Sequence, residues 1–233
     1  MSDVLNAKRA LVTGATGGLG REIARALARR GARLFLSGRD ETALEELIRE
    51  LSASGRTADL MRVQDVEGLA EAARHALGGV DILVHSAGVF PVAPLAETSL
   101  ETFDRCLAVN LRAAFLLARA LAPEMAAQRW GRIVLVGSSS AYSGFRDTSV
   151  YCASKHGLLG FSRALHEELK GSNVRTFCVS PGSIKTPMAR STPDQDFETF
   201  LEPAEVAAFL VELISSDGEM IAQEVRLNRM VLR

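Results

Sequence analysis

Two side chains one helical turn apart carry the first chemistry in this chain. They are Tyr151 and Lys155, within Ser149-Val150-Tyr151-Cys152-Ala153-Ser154-Lys155. At i and i+4 on a helix both point the same way, while Ala153, Gly157, Gly160 and Ala164 form a small-residue stripe on roughly the opposite side. A phenol titrates near ~10 and exchanges protons poorly at neutral pH, but a neighbouring ammonium favours the phenolate and lowers that value. Tyr151 is therefore a candidate general acid/base. The same spacing also arises where a half-buried ring sits beside a lysine that reaches for water. The rest of the chain decides between these readings by what it brings to the phenol.

A short apolar strand from Arg9 to Thr13 runs into Thr13-Gly14-Ala15-Thr16-Gly17-Gly18-Leu19-Gly20, after which Ile23, Ala24, Leu27 and Ala28 recur at helical spacing. Glycines permit the tight turn and the close approach of a pyrophosphate, and the helix N-terminus offers free N–H groups and the positive end of its dipole. Gly14, Thr16, Gly18, Leu19 and Gly20 are thus candidate dinucleotide contacts. The spacing is G-x-x-x-G-x-G rather than G-x-G-x-x-G, and glycine-rich turns also occur simply where chains bend. A second strand, Arg33 to Ser37, ends at Gly38-Arg39, where a dinucleotide fold reads the adenosine ribose. An acid there would bond the 2′-hydroxyl and repel a 2′-phosphate. Arg39 favours NADP(H), with NAD(H) as the alternative; its other reading is a loop charge paired to Asp40.

The alternation continues with a helix near Glu41–Ser52, a strand ending at Ala58-Asp59-Leu60, a helix near Asp65–Leu77, and the strand Ile82–His85 leading into Ser86-Ala87-Gly88. Asp59 could accept from an adenine amine or simply initiate a turn. A helical stretch from Leu100 to Met125 holds Asn110 among apolar neighbours, which requires either a helix irregularity or a polar relay. Strands at Arg132–Val136 and Arg175–Val179 end at Gly137-Ser138 and Ser180-Pro181-Gly182; a helix at Leu201–Ser215 and a strand at Glu224–Leu227 follow. This pattern predicts one α/β domain over residues 1–233, a doubly wound parallel sheet of about seven strands with helices on both faces. Gly14, Arg39, Asp59, Gly88, Ser138 and Gly182 all fall just past strand ends, where such sheets bind ligands.

Composition narrows the partners. With 27 basic against 28 acidic residues the chain has no field to draw nucleic acid or an anionic membrane. Cys106, Cys152 and Cys178 lack metal-ligand or C-x-x-C spacing, so no metal is expected and a reducing compartment fits. No signal-peptide h-region is visible and no apolar run approaches a membrane span, so a cytoplasmic protein acting on a small molecule is expected.

These motifs resemble those of the short-chain dehydrogenase/reductase family. They are Thr13-Gly14-x-x-x-Gly18-x-Gly20, Ala87-Gly88, Asn110, Ser138 thirteen residues before Tyr151, Lys155, and Pro181-Gly182 followed by Ile184 and Thr186. The resemblance runs from Thr13 to the last strand and implies a Rossmann-like oxidoreductase acting on a carbonyl or secondary alcohol. It implies that Tyr151 is the acid/base, Ser138 orients the carbonyl, Lys155 holds the nicotinamide ribose and lowers the phenol's pKa, and Asn110 anchors a relay water. It also implies that Leu60, Ala87, Gly88, Pro181, Gly182, Ile184 and Thr186 line the cofactor, and that the chain assembles as a homodimer or homotetramer.

The general pattern is similar to 3-oxoacyl-carrier-protein reductases. Arg129 could meet an acidic carrier, whereas Ser172 stands where a second basic contact is expected. His85-Ser86 replaces the family's usual Asn-Asn, and His85 reads as a satisfied strand-end residue. Gly17 stands where NADP-binding members often carry a basic residue. The lid segment 187–203 is short and acidic, with Asp194, Asp196, Glu198 and Glu202. A non-catalytic dinucleotide sensor is the competing reading, but it has no need of the Tyr-Lys pair.

Overall fold

The computed structural model describes residues 3–191 and 195–230, so Asp194 of the acidic lid lies outside the described residues. Seven parallel strands form one sheet: β1 (Arg9–Thr13), β2 (Arg33–Ser37), β3 (Ser54–Gly55), β4 (Ile82–His85), β5 (Gly131–Val136), β6 (Val174–Pro181) and β7 (Glu224–Leu227). Their order is β3-β2-β1-β4-β5-β6-β7, so the chain reverses direction across the sheet between β1 and β4. In this register Thr13 lies beside His85, and a crevice opens past both strand ends.

The central strands are almost wholly buried and mostly apolar because helices cover both faces. Alternate residues divide between two cores. Val12, Leu36, Val84 and Val134 meet α1 (Gly18–Arg29), α2 (Glu41–Leu51) and α7 (Pro203–Ser215). Leu11, Phe35, Leu83 and Ile133 meet α3 (Val63–Leu77), α5 (Ala113–Ala127) and α6 (Ser149–Leu169) on the other face.

The third strand is not where the sequence places it. β3 is two residues long and pairs with Phe35 and Leu36, whereas Ala58 and Asp59 lie outside any strand and lead into a turn at Leu60–Met61. The Asp59 carboxylate accepts the Met61 N–H at 3.0 Å, and Asp65 accepts the N–H of Asp59 at 3.1 Å. These local bonds satisfy the backbone that a longer strand would have paired. The seventh helix starts at Pro203, not Leu201, since proline suits the first helical position, and Leu201 instead bridges to Ile184.

The long helix is interrupted as Asn110 demands. After α4 (Leu100–Leu107) comes a π-helical turn, Ala108–Arg112, before α5. By length and composition the whole run Leu100–Ala127 would suffice to cross a membrane, contrary to the sequence reading. Its apolar side is instead spent on the core, where Leu117, Leu121 and Met125 are completely buried. The small-residue stripe on α6 does not pack on the sheet either: Ala153, Gly160 and Ala164 are exposed.

Candidate active site

At the end of β1 the backbone turns with Gly14 at φ +68°, and a side chain there would come within 2.6 Å of the Ala87 nitrogen. A Cβ on Gly18 would stand 2.7 Å from Thr186 Cγ2, and one on Gly20 would strike the Gly14 carbonyl. Helix α1 begins at this turn with Gly17 as its N-cap, no capping side chain and no acid in its first turn. Its free N–H groups and positive dipole end are therefore open to an anion.

The turn lines one wall of a cavity of about 720 Å³. Gly14, Thr16, Gly18, Leu19, Gly20, Gly88, Ser138, Tyr151, Lys155, Pro181, Gly182, Ile184 and Thr186 all line it, which unites most of the residues expected from sequence. Arg39, Asp59, Leu60, Ala87 and Asn110 lie outside its walls. Leu60 is buried in the core and Asp59 is occupied by its turn. Asp40 caps α2 by accepting the Ala43 N–H at 3.0 Å, and Arg39 is exposed and makes no ion pair among the described residues. The pairing of Arg39 with Asp40 is thus not formed.

Tyr151 sits in the first turn of α6, 9 % exposed, with the Phe90 ring edge-on at 4.7 Å. Burial pushes its phenol up to about 12, partly opposed by a hydrogen bond with Ser138. The Ser138 oxygen also accepts the Ser140 N–H at 3.1 Å. Lys155, 4 % exposed, donates from Nζ to the Val136 carbonyl at 2.7 Å, and burial brings its pKa down to about 8. The expected lowering of the phenol's pKa by Lys155 is therefore not met. The desolvation that disfavours the ammonium disfavours the phenolate as well, and with Nζ 5.7 Å from the ring centroid burial prevails.

Asn110 is completely buried and fully engaged. Its Oδ1 accepts the Val89 N–H at 2.8 Å, while Nδ2 donates to the Val89 carbonyl and to Ser154 Oγ, each at 3.0 Å. Ser154 in turn donates to the Tyr151 carbonyl at 2.7 Å. The amide thus ties the loop after β4 to the helix that carries the phenol. His85 bonds Thr13 Oγ1 through Nδ1 at 3.0 Å and the Val109 carbonyl through Nε2 at 3.1 Å.

The sequence profile of the short chain dehydrogenase family matches residues 8–196. The chain belongs to the short-chain dehydrogenase family. Nodulation protein G of a Rhizobium species is 35% identical over 236 residues, covering 96% of each chain. A solved metagenomic short-chain oxidoreductase in complex with NADP superimposes with a TM-score of 0.87 at 32% identity, over 98% of this chain and 100% of that one. Actinorhodin polyketide ketoreductase with NADPH gives 0.88 at 31% identity, over 98% of both chains. This short-chain dehydrogenase is therefore an NAD(P)-dependent oxidoreductase with a Rossmann-like fold, acting on small molecules.

Sequence reasoning missed Phe90, Phe145 and Thr148, which line the same cavity. Their nearness in the chain to Gly88 and Tyr151 was the available signal. Arg129 donates to the Gly171 carbonyl at 3.4 Å, and with Ser172 it precedes the starts of β5 and β6, at the end of the sheet away from this cavity.

Proposed function

We propose that this short-chain dehydrogenase transfers a hydride between NADP(H) and a ketone or secondary alcohol, with Tyr151 as the proton donor and acceptor. The observation that carries the reading is the meeting of Tyr151, Ser138 and Lys155 with the glycine turn in one cavity. The bare glycines and uncapped helix start fit a pyrophosphate, since a side chain at Gly14, Gly18 or Gly20 would collide with the structure around it.

When bound, the nicotinamide supplies or takes the hydride. Ser138 accepts the Ser140 N–H at its oxygen and shares its hydroxyl proton with the Tyr151 phenol, from which that proton can turn to the substrate oxygen. Tyr151, with its pKa pushed up to about 12, is protonated at neutral pH and ready to donate as charge builds on that oxygen. Lys155 keeps two donors beyond the one given to Val136, and these suit the nicotinamide ribose. Arg39, exposed past β2 without an ion-pair partner among the described residues, suits a 2′-phosphate. NADP and NADPH in the two structural neighbours support that choice.

The polyketide ketoreductase neighbour supports a 3-oxoacyl or related ketone as the substrate class. The exposed stripe on α6 supports pairing of copies into a homodimer or homotetramer. Replacing Tyr151→Phe removes one oxygen and little else. Turnover in a coupled absorbance assay should fall by about 10²–10⁴-fold while NADP(H) affinity stays nearly unchanged. Retained turnover would remove Tyr151 from the chemistry.

A further inference from the structure

Two aromatic loops meet beside the phenol. Phe90 follows Gly88 and stacks edge-on to Tyr151, with ring centroids 4.7 Å apart and planes at 71°. Phe145 lies just ahead of α6, and its carbonyl accepts both the N–H of Thr148, at 3.4 Å, and the Thr148 hydroxyl, at 2.8 Å. The next loop bond joins the two segments: the Ala93 N–H donates to the Asp147 carbonyl at 2.8 Å. Thr148 spends its hydroxyl on Phe145 and lies 3.3 Å from Cys152 Sγ, so it offers little to a ligand. Phe145 nevertheless remains half exposed, an aromatic side chain on a hydrogen-bonded loop at the cavity.

Charge around the cavity points the same way. Among its described lining residues the charged side chains are Arg146, Asp147 and Lys155. Lys155 is bound to Val136, and Arg146 and Asp147 lie 3.5 Å apart with opposite sign. Lys155 lies deep in the site, where its remaining donors suit the nicotinamide ribose, and the two charges nearer solvent, Arg146 and Asp147, offset each other, so the mouth is not a net cationic site for a free carboxylate or phosphate.

We infer that the substrate is a neutral ketone, or its alcohol, whose larger substituent is aromatic and is held between Phe90 and Phe145. The inference rests on the carbonyl-reductase reading and names the substrate class of that site. Phe145 sets the specificity, because offset or edge contacts between rings add to simple apolar burial and a methyl group cannot make them.

The test compares ethyl benzoylacetate, ethyl acetoacetate and the acetoacetate anion as substrates with NADPH. In the unaltered enzyme the kcat/KM for the aryl ester should exceed that for the methyl ester by about tenfold or more, with the anion poorest. Phe145→Ala should collapse that ratio towards one, chiefly through KM, while Arg146→Ala should leave the ratio of the two esters as it was. Equal use of both esters, a ratio insensitive to Phe145→Ala, or a preference for the anion that Arg146→Ala abolishes would each overturn the inference while leaving ketone reduction standing. If NADPH binds but no ketone is turned over, the carbonyl-reductase reading fails and takes this inference with it.

Discussion

His85 is held in one tautomer by what surrounds it. The Val109 carbonyl can only accept, so Nε2 carries the proton, and the bare Nδ1 accepts from the Thr13 hydroxyl. Burial, with Lys155 nearby, brings its pKa down to about 4 from 6.5. The sign of the stability effect follows. Above about pH 6.5 the ring is neutral folded or unfolded, and no penalty exists. As pH falls towards 4 the unfolded chain gains a proton that the folded chain refuses, so stability is lost across that window, by up to ~3 kcal/mol.

Asp81, against the cost of its burial, and Glu224 are held below the usual carboxylate range by Arg9 and Arg163, so the stability they add starts to be lost only at the acid end of this window, as the unfolded chain's carboxylates take up protons. Burial also depresses His166, which adds to the same window, so the measure is a difference between proteins. The thermal midpoint should fall between pH 6.5 and 4 less steeply in His85→Asn than in the unaltered enzyme. Matching profiles would show that His85 is not the group responsible. That a histidine stands at this strand end was legible in the sequence. Its two partners were not, since one lies on a neighbouring strand and the other in an irregular helix.

At the level of elements, the π-helical turn shows how much a single buried amide can decide. Regular helix would leave Asn110 inside an apolar interface with its amide unpaired. The widened turn goes with its bonds to both backbone groups of Val89 and to Ser154. Removing that amide by Asn110→Ala leaves the Val89 N–H and carbonyl unsatisfied and should lower unfolding stability by about 2–4 kcal/mol in urea titration. Turnover of the fraction still folded should drop too, because Ser154 links the amide to the Tyr151 backbone. A loss below about 0.5 kcal/mol would mean that water replaces the amide at no cost.

An asparagine amid leucines announces an irregularity, so this feature was readable beforehand. Strands β1, β2, β4 and β7 were readable for a related reason: each is a short run closed by glycine, charge or turn residues. β3 was not, because its two residues carry no apolar signal and gain their pairing from β2. The ionisation of Tyr151 was also hidden. The i, i+4 spacing revealed the lysine, but not the burial of the phenol against Phe90 in the cavity wall.

Across the whole molecule, the cavity draws on the ends of β1, β4, β5 and β6 together with the start of α1 and α6. A ligand that binds there contacts segments from both halves of the sheet and from both core layers, so it stabilises the folded chain as a unit. The gain follows mass action: at a hundred times its dissociation constant a ligand adds about 2.7 kcal/mol. For a chain of this size that corresponds to a rise in Tm of about 5–10 °C. On the proposal that Arg39 reads the 2′-phosphate, NADP(H) should reach this rise at a lower concentration than NAD(H). Arg39→Asp should reverse the order, since a carboxylate repels the phosphate and accepts from the ribose hydroxyl. Arg39 is exposed and outside the core, so the exchange should leave the Tm of the ligand-free protein nearly unchanged. Titrating both cofactors against both proteins by thermal shift therefore isolates the one side chain. If the order of the two cofactors were the same before and after the exchange, the phosphate would have to be read elsewhere along the glycine turn.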